Sequence, residues 1–161
     1  MEILGVICYS IVEGDENMYR EFIDSLIKNN ERAHLNPAAS QRDIETTEAF
    51  IGYSFPDELR ALYLEADGDN YFLLSLEQMI ENVKLNREYF PDCFETFDEY
   101  LERVDQFIYF ATNGCGDYYC YKVTSEATPS PIYLWEHELF EAHIVAVDLR
   151  DVIIKYYNSE I

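Results

Sequence analysis

Positive charge is scarce in this chain. Across 161 residues, 11 lysines and arginines stand against 32 aspartates and glutamates, a formal net charge of −21. A surface that one-sided repels phosphate, which argues against direct binding to nucleic acid or an anionic membrane; it would draw in a basic protein by electrostatic steering, or serve only to keep the domain soluble. Long apolar runs are also missing, and nothing approaches the ~18 residues a bilayer span needs. The opening MEILGVICYSIV is apolar, but no basic segment precedes it and acidic residues follow at once, unlike a secretory signal. Cys8, Cys93, Cys115 and Cys120 make neither a CxxC pair nor a disulfide framework. They read as reduced thiols, and the expected compartment is cytoplasmic.

The motifs of catalysis and cofactor binding are absent as well. No serine lies in GxSxG, no P-loop lysine follows a glycine-rich turn, and no HExxH occurs. Glu136-His137-Glu138, with His143 beyond, is the densest set of potential metal ligands, yet it lacks two strong ligands at a fixed repeat and reads as a polar loop leaving a strand. Asp67-Gly68-Asp69-Asn70 imitates a calcium loop with its glycine misplaced and Gln78 where the bidentate glutamate belongs, so a helix end followed by a turn accounts for it. Cys115 has Gly and Asp near it in sequence and no base or cation to activate a thiolate. The expectation is a protein with no catalytic residue, no metal and no cofactor.

What the chain does have is apolar material: 48% hydrophobic and 16% aromatic residues. That is enough for one folded domain of this length, which removes roughly 70% of its unfolded surface from water. Residues 1–12 fit an edge strand or the start of a helical arm, and Asp15 can cap a helix through Lys28 with Met18, Phe22 and Leu26 on its apolar stripe. Asn36-Pro37-Ala38-Ala39 is a linker, so residues 1–39 read as an N-terminal arm packed on a domain spanning 40–161. Ser40 with Asp43 and Ser75 with Gln78 form capping boxes, Gly52 can end the first of these helices, and Pro56 opens another that Gly68 closes. Tyr71–Leu74 reads as a short strand. Phe94–Val104 reads as a helix with Phe97, Tyr100, Leu101 and Val104 turned inward. Ser125–Pro131 is a loop, Ile132–Trp135 and Ile144–Val147 are strands, and Asp148 caps a last helix. Helices early and strands late favour an antiparallel α+β fold over a parallel one.

The densest local signal is Phe107–Val123. Two alternating apolar runs flank Asn113-Gly114-Cys115-Gly116-Asp117, the pattern of a β-hairpin, with Gly114 and Gly116 where positive φ is cheap. Period two puts Phe107, Tyr109 and Ala111 on one face and Ile108, Phe110 and Thr112 on the other. This N-G-x-G-D hairpin, followed by PIYLWEHE at 131–138 and preceded by the block from Ile51 through Pro56 to Gly68, resembles the SUKH superfamily of fungal Smi/Knr cell-wall regulators and bacterial immunity proteins. The likeness covers roughly Ser40 to Tyr157. It implies a SUKH-type antiparallel sheet with helices packed on it.

It also implies a non-enzymatic immunity protein that binds and neutralises a basic toxin domain, possibly a nuclease, of a polymorphic or contact-dependent system. The alternative is an intracellular regulatory adaptor like the fungal members, and self-association as a homodimer stays open. Tyrosine and tryptophan on strands beside carboxylates compose the aromatic-acidic patch expected of a contact surface for a basic protein. Asp69, Asp117, Tyr119, Trp135, Glu136 and Glu138 are the expected partner contacts. Gly52, Pro56, Gly68, Gly114 and Gly116 are read as structural.

Overall fold

The capping chemistry sets the helix starts. Ser40 accepts from the Asp43 N–H while Asp43 reaches back to Ser40, starting α2 (Gln41–Ile51), and Gly52 ends it at φ 95°. Ser75 and Gln78 exchange the same pair of bonds at the start of α4 (Leu76–Tyr89). Before them lie α1 (Met18–Ile27) and, between, α3 (Asp57–Tyr63), which Pro56 leads into. A 3₁₀ turn (Pro91–Cys93), a single α-turn α5 (Phe97–Tyr100) and a π-helical turn (Leu101–Asp105) lead into strands β1 (Phe107–Thr112), β2 (Tyr118–Lys122), β3 (Ile132–Glu136) and β4 (Glu141–Ala146). Asp148 caps the closing helix α6 (Leu149–Tyr157) through the Asp151 N–H. The computed structural model describes residues 17–123 and 131–161, so residues 1–12, the Asp15 cap, Cys8 and most of the loop before Pro131 lie outside the described residues.

The four strands form an antiparallel meander in the order β1-β2-β3-β4, and the fold is α+β as expected. Each face of the sheet has its own core. Ile108, Phe110, Tyr119, Tyr121 and Ile132 pack against the long helices with Ile23, Leu59, Met79 and Val152. Phe107, Tyr109, Cys120 and Trp135 pack on the opposite side under Tyr100 and Val104. α1 belongs to the first core through Ile23, and Arg150 of α6 stacks 4.0 Å from the Phe22 ring.

Four local expectations need correction. A bulge interrupts the β1–β2 register between Tyr109 and Ala111, so Ala111 lies with Ile108 and Phe110 rather than with Tyr109. Residues 71–74 make only one bridge, Leu73 to Ala111, because the amides of Tyr71, Phe72 and Leu73 are already bound to the Asp69 carboxylate. α3 stops near Leu64, before Gly68; that glycine instead lets the backbone pass so close that an added Cβ would sit 2.8 Å from Leu73 O and Ser75 N. Phe97 is 63% exposed rather than buried. It stands at the first helical position, and Phe94, in extended backbone, fills the inner slot against Tyr100 and Phe140.

Candidate protein-binding face

The six residues expected to touch a partner separate by depth. Asp69 is 0% exposed and Trp135 is 1% exposed, and Tyr119 is buried too, so these three cannot offer contact area and belong to the interior. The reason differs in each case. Asp69 Oδ1 accepts the N–H groups of Tyr71, Phe72 and Leu73 at 3.0, 2.7 and 2.8 Å, and its Oδ2 accepts the Tyr157 hydroxyl, so a carboxylate without a cation is satisfied by a backbone nest. Tyr119 faces Phe72 and Tyr156 in the first core. Trp135 packs edge-on to Tyr109 and donates its indole N–H to Arg103 O at 2.8 Å.

Asp117, Glu136 and Glu138 lie at one end of the sheet, where the tip of the β1–β2 hairpin meets the β3–β4 turn. Asp117 Oδ1 takes the His137 N–H at 3.1 Å and stands 2.7 Å from His137 Nδ1, while Asn113 donates to its Oδ2. Partial burial works against the charge, but these hydrogen bonds win and hold the Asp117 carboxyl below the usual carboxylate range. Gly116 makes this possible: a Cβ there would come within 3.0 Å of the His137 ring. Glu136 is half-buried with His143 3.5 Å away, and Glu138 is exposed. Asp117 is therefore largely a clamp between two turns, and Glu138 is the freest acid of the three. Among the described residues no group of three His, Cys, Asp or Glu side chains is placed to hold a metal ion.

Next to this turn is a surface the sequence reading missed. Arg103, on the π-helical turn, donates to Leu139 O and Phe140 O at 3.1 and 3.3 Å, pairs with Glu99 and Glu141, and lies over the Phe94 ring. That clamp holds Phe140 at φ 52°, a conformation costly for an aromatic residue, and sets its ring against Phe90, Phe94 and Trp135. Phe140 turns inward while its neighbour Leu139 is left 56% exposed; Phe97 and Tyr89, exposed as well, belong to the segments that carry Phe94 and Phe90, the rings that meet Phe140. Asp92, Glu95, Asp98, Glu102 and Glu138 on the same segments are exposed too, and Arg103 is committed to the Leu139 and Phe140 carbonyls. The segments that meet at Phe140 thus carry exposed apolar side chains interspersed with acids, the composition expected of a surface that contacts a basic protein. Phe97 was hidden from sequence reading because its helical spacing imitates a core stripe.

A second acidic surface is a cleft of about 400 Å³ between α2 and α4, with Leu76 and Ile80 among its apolar lining and Asp43, Asp67, Glu77 and Glu81 among its acids. Burial pushes the Asp67 carboxyl up, the Leu76 N–H bond opposes this, and Asp43 and Glu77 add to the rise. No helix of the described residues is long and apolar enough to cross a membrane. Compared with known proteins, residues 38–155 match the model of the SMI1 / KNR4 family (SUKH-1). No curated protein matches the chain.

Proposed function

The chain belongs to the SMI1 / KNR4 family (SUKH-1), and from that membership we propose that it is a non-catalytic immunity protein which binds a basic toxin domain and blocks it. The observation that carries this reading is that the segments bearing Leu139 and Phe97 expose apolar side chains interspersed with exposed acids. Exposed apolar area supplies affinity once a partner excludes water from it, and the acids beside it in the chain supply attraction and discrimination. The net charge of −21 extends that attraction beyond the contact itself, so capture of a cationic partner is fast at low salt. A nuclease keeps its phosphate-binding cleft basic, and carboxylates presented on a rigid turn occupy such a cleft as phosphate does.

The test is a binding and rescue experiment with the toxin domain encoded beside this gene. Wild-type chain should form a stable complex and restore growth of cells expressing the toxin. Replacing Phe97 and Leu139 by alanine, or Asp98, Glu102 and Glu138 by their amides, should weaken binding by about tenfold or more each. Affinity that survives both sets of changes would refute the assignment of this face. A Lys- and Arg-poor partner, or inhibition that persists without complex formation, would refute charge-led capture itself.

A further inference from the structure

The two edges of the sheet are treated differently. The outer side of β1 is stitched: Thr112 donates to Phe72 O at 3.0 Å and Leu74 donates to Phe110 O at 2.9 Å. β4 ends the sheet on the other side, and among the described residues no strand pairs with its outer edge. Natural edge strands are protected by lysine, proline, a bulge or a cover, since a free ladder invites a further strand. Here the protection is confined to one end. The register break with β3 falls beyond Ile144, and Lys155 Nζ donates to Val145 O at 3.1 Å. From Glu141 to Ile144 the ladder is regular, with neither lysine nor proline, and Ile144 opposite Tyr133 is 59% exposed.

We propose that this edge receives an extended, basic segment of the bound protein as a fifth strand. The proposal rests on the partner-binding reading above and states how the partner is held. Backbone pairing supplies affinity without regard to side chains, and alternate side chains then choose the occupant. Apolar residues of the incoming strand lie beside Ala142 and Ile144, on one face of β4, and basic ones lie beside Glu141, on the other. A second copy of this chain fits poorly, because it would bring another net charge of −21 to the same acidic edge. The edge is also continuous with the proposed face, since β4 begins directly after Leu139 and Phe140.

The probe is a synthetic peptide of about ten residues alternating valine and lysine, offered to the full chain. Two controls accompany it: the same peptide N-methylated at two adjacent central residues, which removes a donor from each of its edges, and a valine–glutamate counterpart. The lysine peptide should slow hydrogen exchange of the β4 amides not bonded to β3 by about tenfold. Both controls, and the Ile144→Lys variant with the original peptide, should bind about tenfold or more weakly. Equal binding of the N-methylated peptide overturns the proposal, because only charge would then be at work. So does strong protection of those β4 amides in the free chain, which would mean that another part of the protein or a second copy already covers the edge. Toxin binding that is lost on Phe97→Ala but untouched by Ile144→Lys sinks the added strand while leaving the immunity reading intact.

Discussion

Replacing Asp69 by alanine separates a structural carboxylate from a contact residue. In the fold this side chain holds three amides and one hydroxyl, and two of those amides belong to Phe72 and Leu73, which are themselves buried. Each buried N–H left without an acceptor costs about 1–3 kcal/mol, and the hydrogen bond from the Tyr157 hydroxyl to a charged group is worth about 1.5–3 kcal/mol. The exposed Tyr71 amide finds water and adds little. The sum is a loss of about 3.5–9 kcal/mol, a large share of the ~5–15 kcal/mol that keeps a domain folded. Asp69→Asn retains the Oδ1 acceptor and should lose only about 1–2 kcal/mol, and Tyr157→Phe about 1.5–3 kcal/mol. Because Asp69 and Tyr157 share one bond, the double variant should be less damaging than the sum of the singles by about 1 kcal/mol. Urea unfolding followed by tyrosine fluorescence reads this as a shift in midpoint at constant slope. If Asp69→Ala unfolds within about 1 kcal/mol of wild type while affinity for the partner collapses, the nest argument is wrong and Asp69 acts at the interface after all.

Other consequences can be measured with the same tools. Phe97→Ala should change stability by no more than about 0.5 kcal/mol, since the ring is largely in water, while lowering partner affinity; equal losses of both would place Phe97 in the core instead. Gly68→Ala should destabilise by about 2 kcal/mol or more, because its φ of 80° disfavours a side chain and the added Cβ meets backbone at 2.8 Å; a neutral result in urea would contradict that close approach. Asp117 titrates lower in the folded chain than its unfolded value of about 3.9, so its bonds to His137 stabilise fully above that pH and fade as pH falls through the folded value. Asp117→Asn should therefore lower stability by about 1 kcal/mol near pH 6 and flatten the acid limb of the urea midpoint against pH; an unchanged acid limb would count against the clamp.

Features governed by neighbours in sequence were legible, and those governed by distant ones were not. The capping boxes at Ser40 and Ser75, the Gly52 end, the Asp148 cap and the first three strands follow from local hydrogen bonding and period, and the structure has them where the residues place them, whereas the last strand, expected at Ile144–Val147, runs Glu141–Ala146. Ala111 was misassigned by a single bulged residue, since a shift of one flips every later side chain of a strand. Residues 71–74 look like a strand until Asp69, folded back on them, takes the amides a ladder would need. The site was lost to the same kind of competition. Tyr119 and Trp135 carry the composition of a hot spot, but a sheet covered on both faces takes them into its two cores. The exposed apolar residues instead come from a place where geometry is under strain: a π-helical turn puts Arg103 against the carbonyls of Leu139 and Phe140, Phe140 accepts positive φ to reach the second core, and Leu139 is turned out. No periodicity records that exchange, because it is set by one guanidinium meeting a turn 36 residues away in the chain. Arg103→Lys tests the linkage: an ammonium keeps the charge but cannot span two carbonyls and two carboxylates at once, so partner affinity should fall by about tenfold while most of the fold's stability remains. Full affinity in Arg103→Lys would show that the turn holds its shape unaided and that the strained Phe140 has some other support.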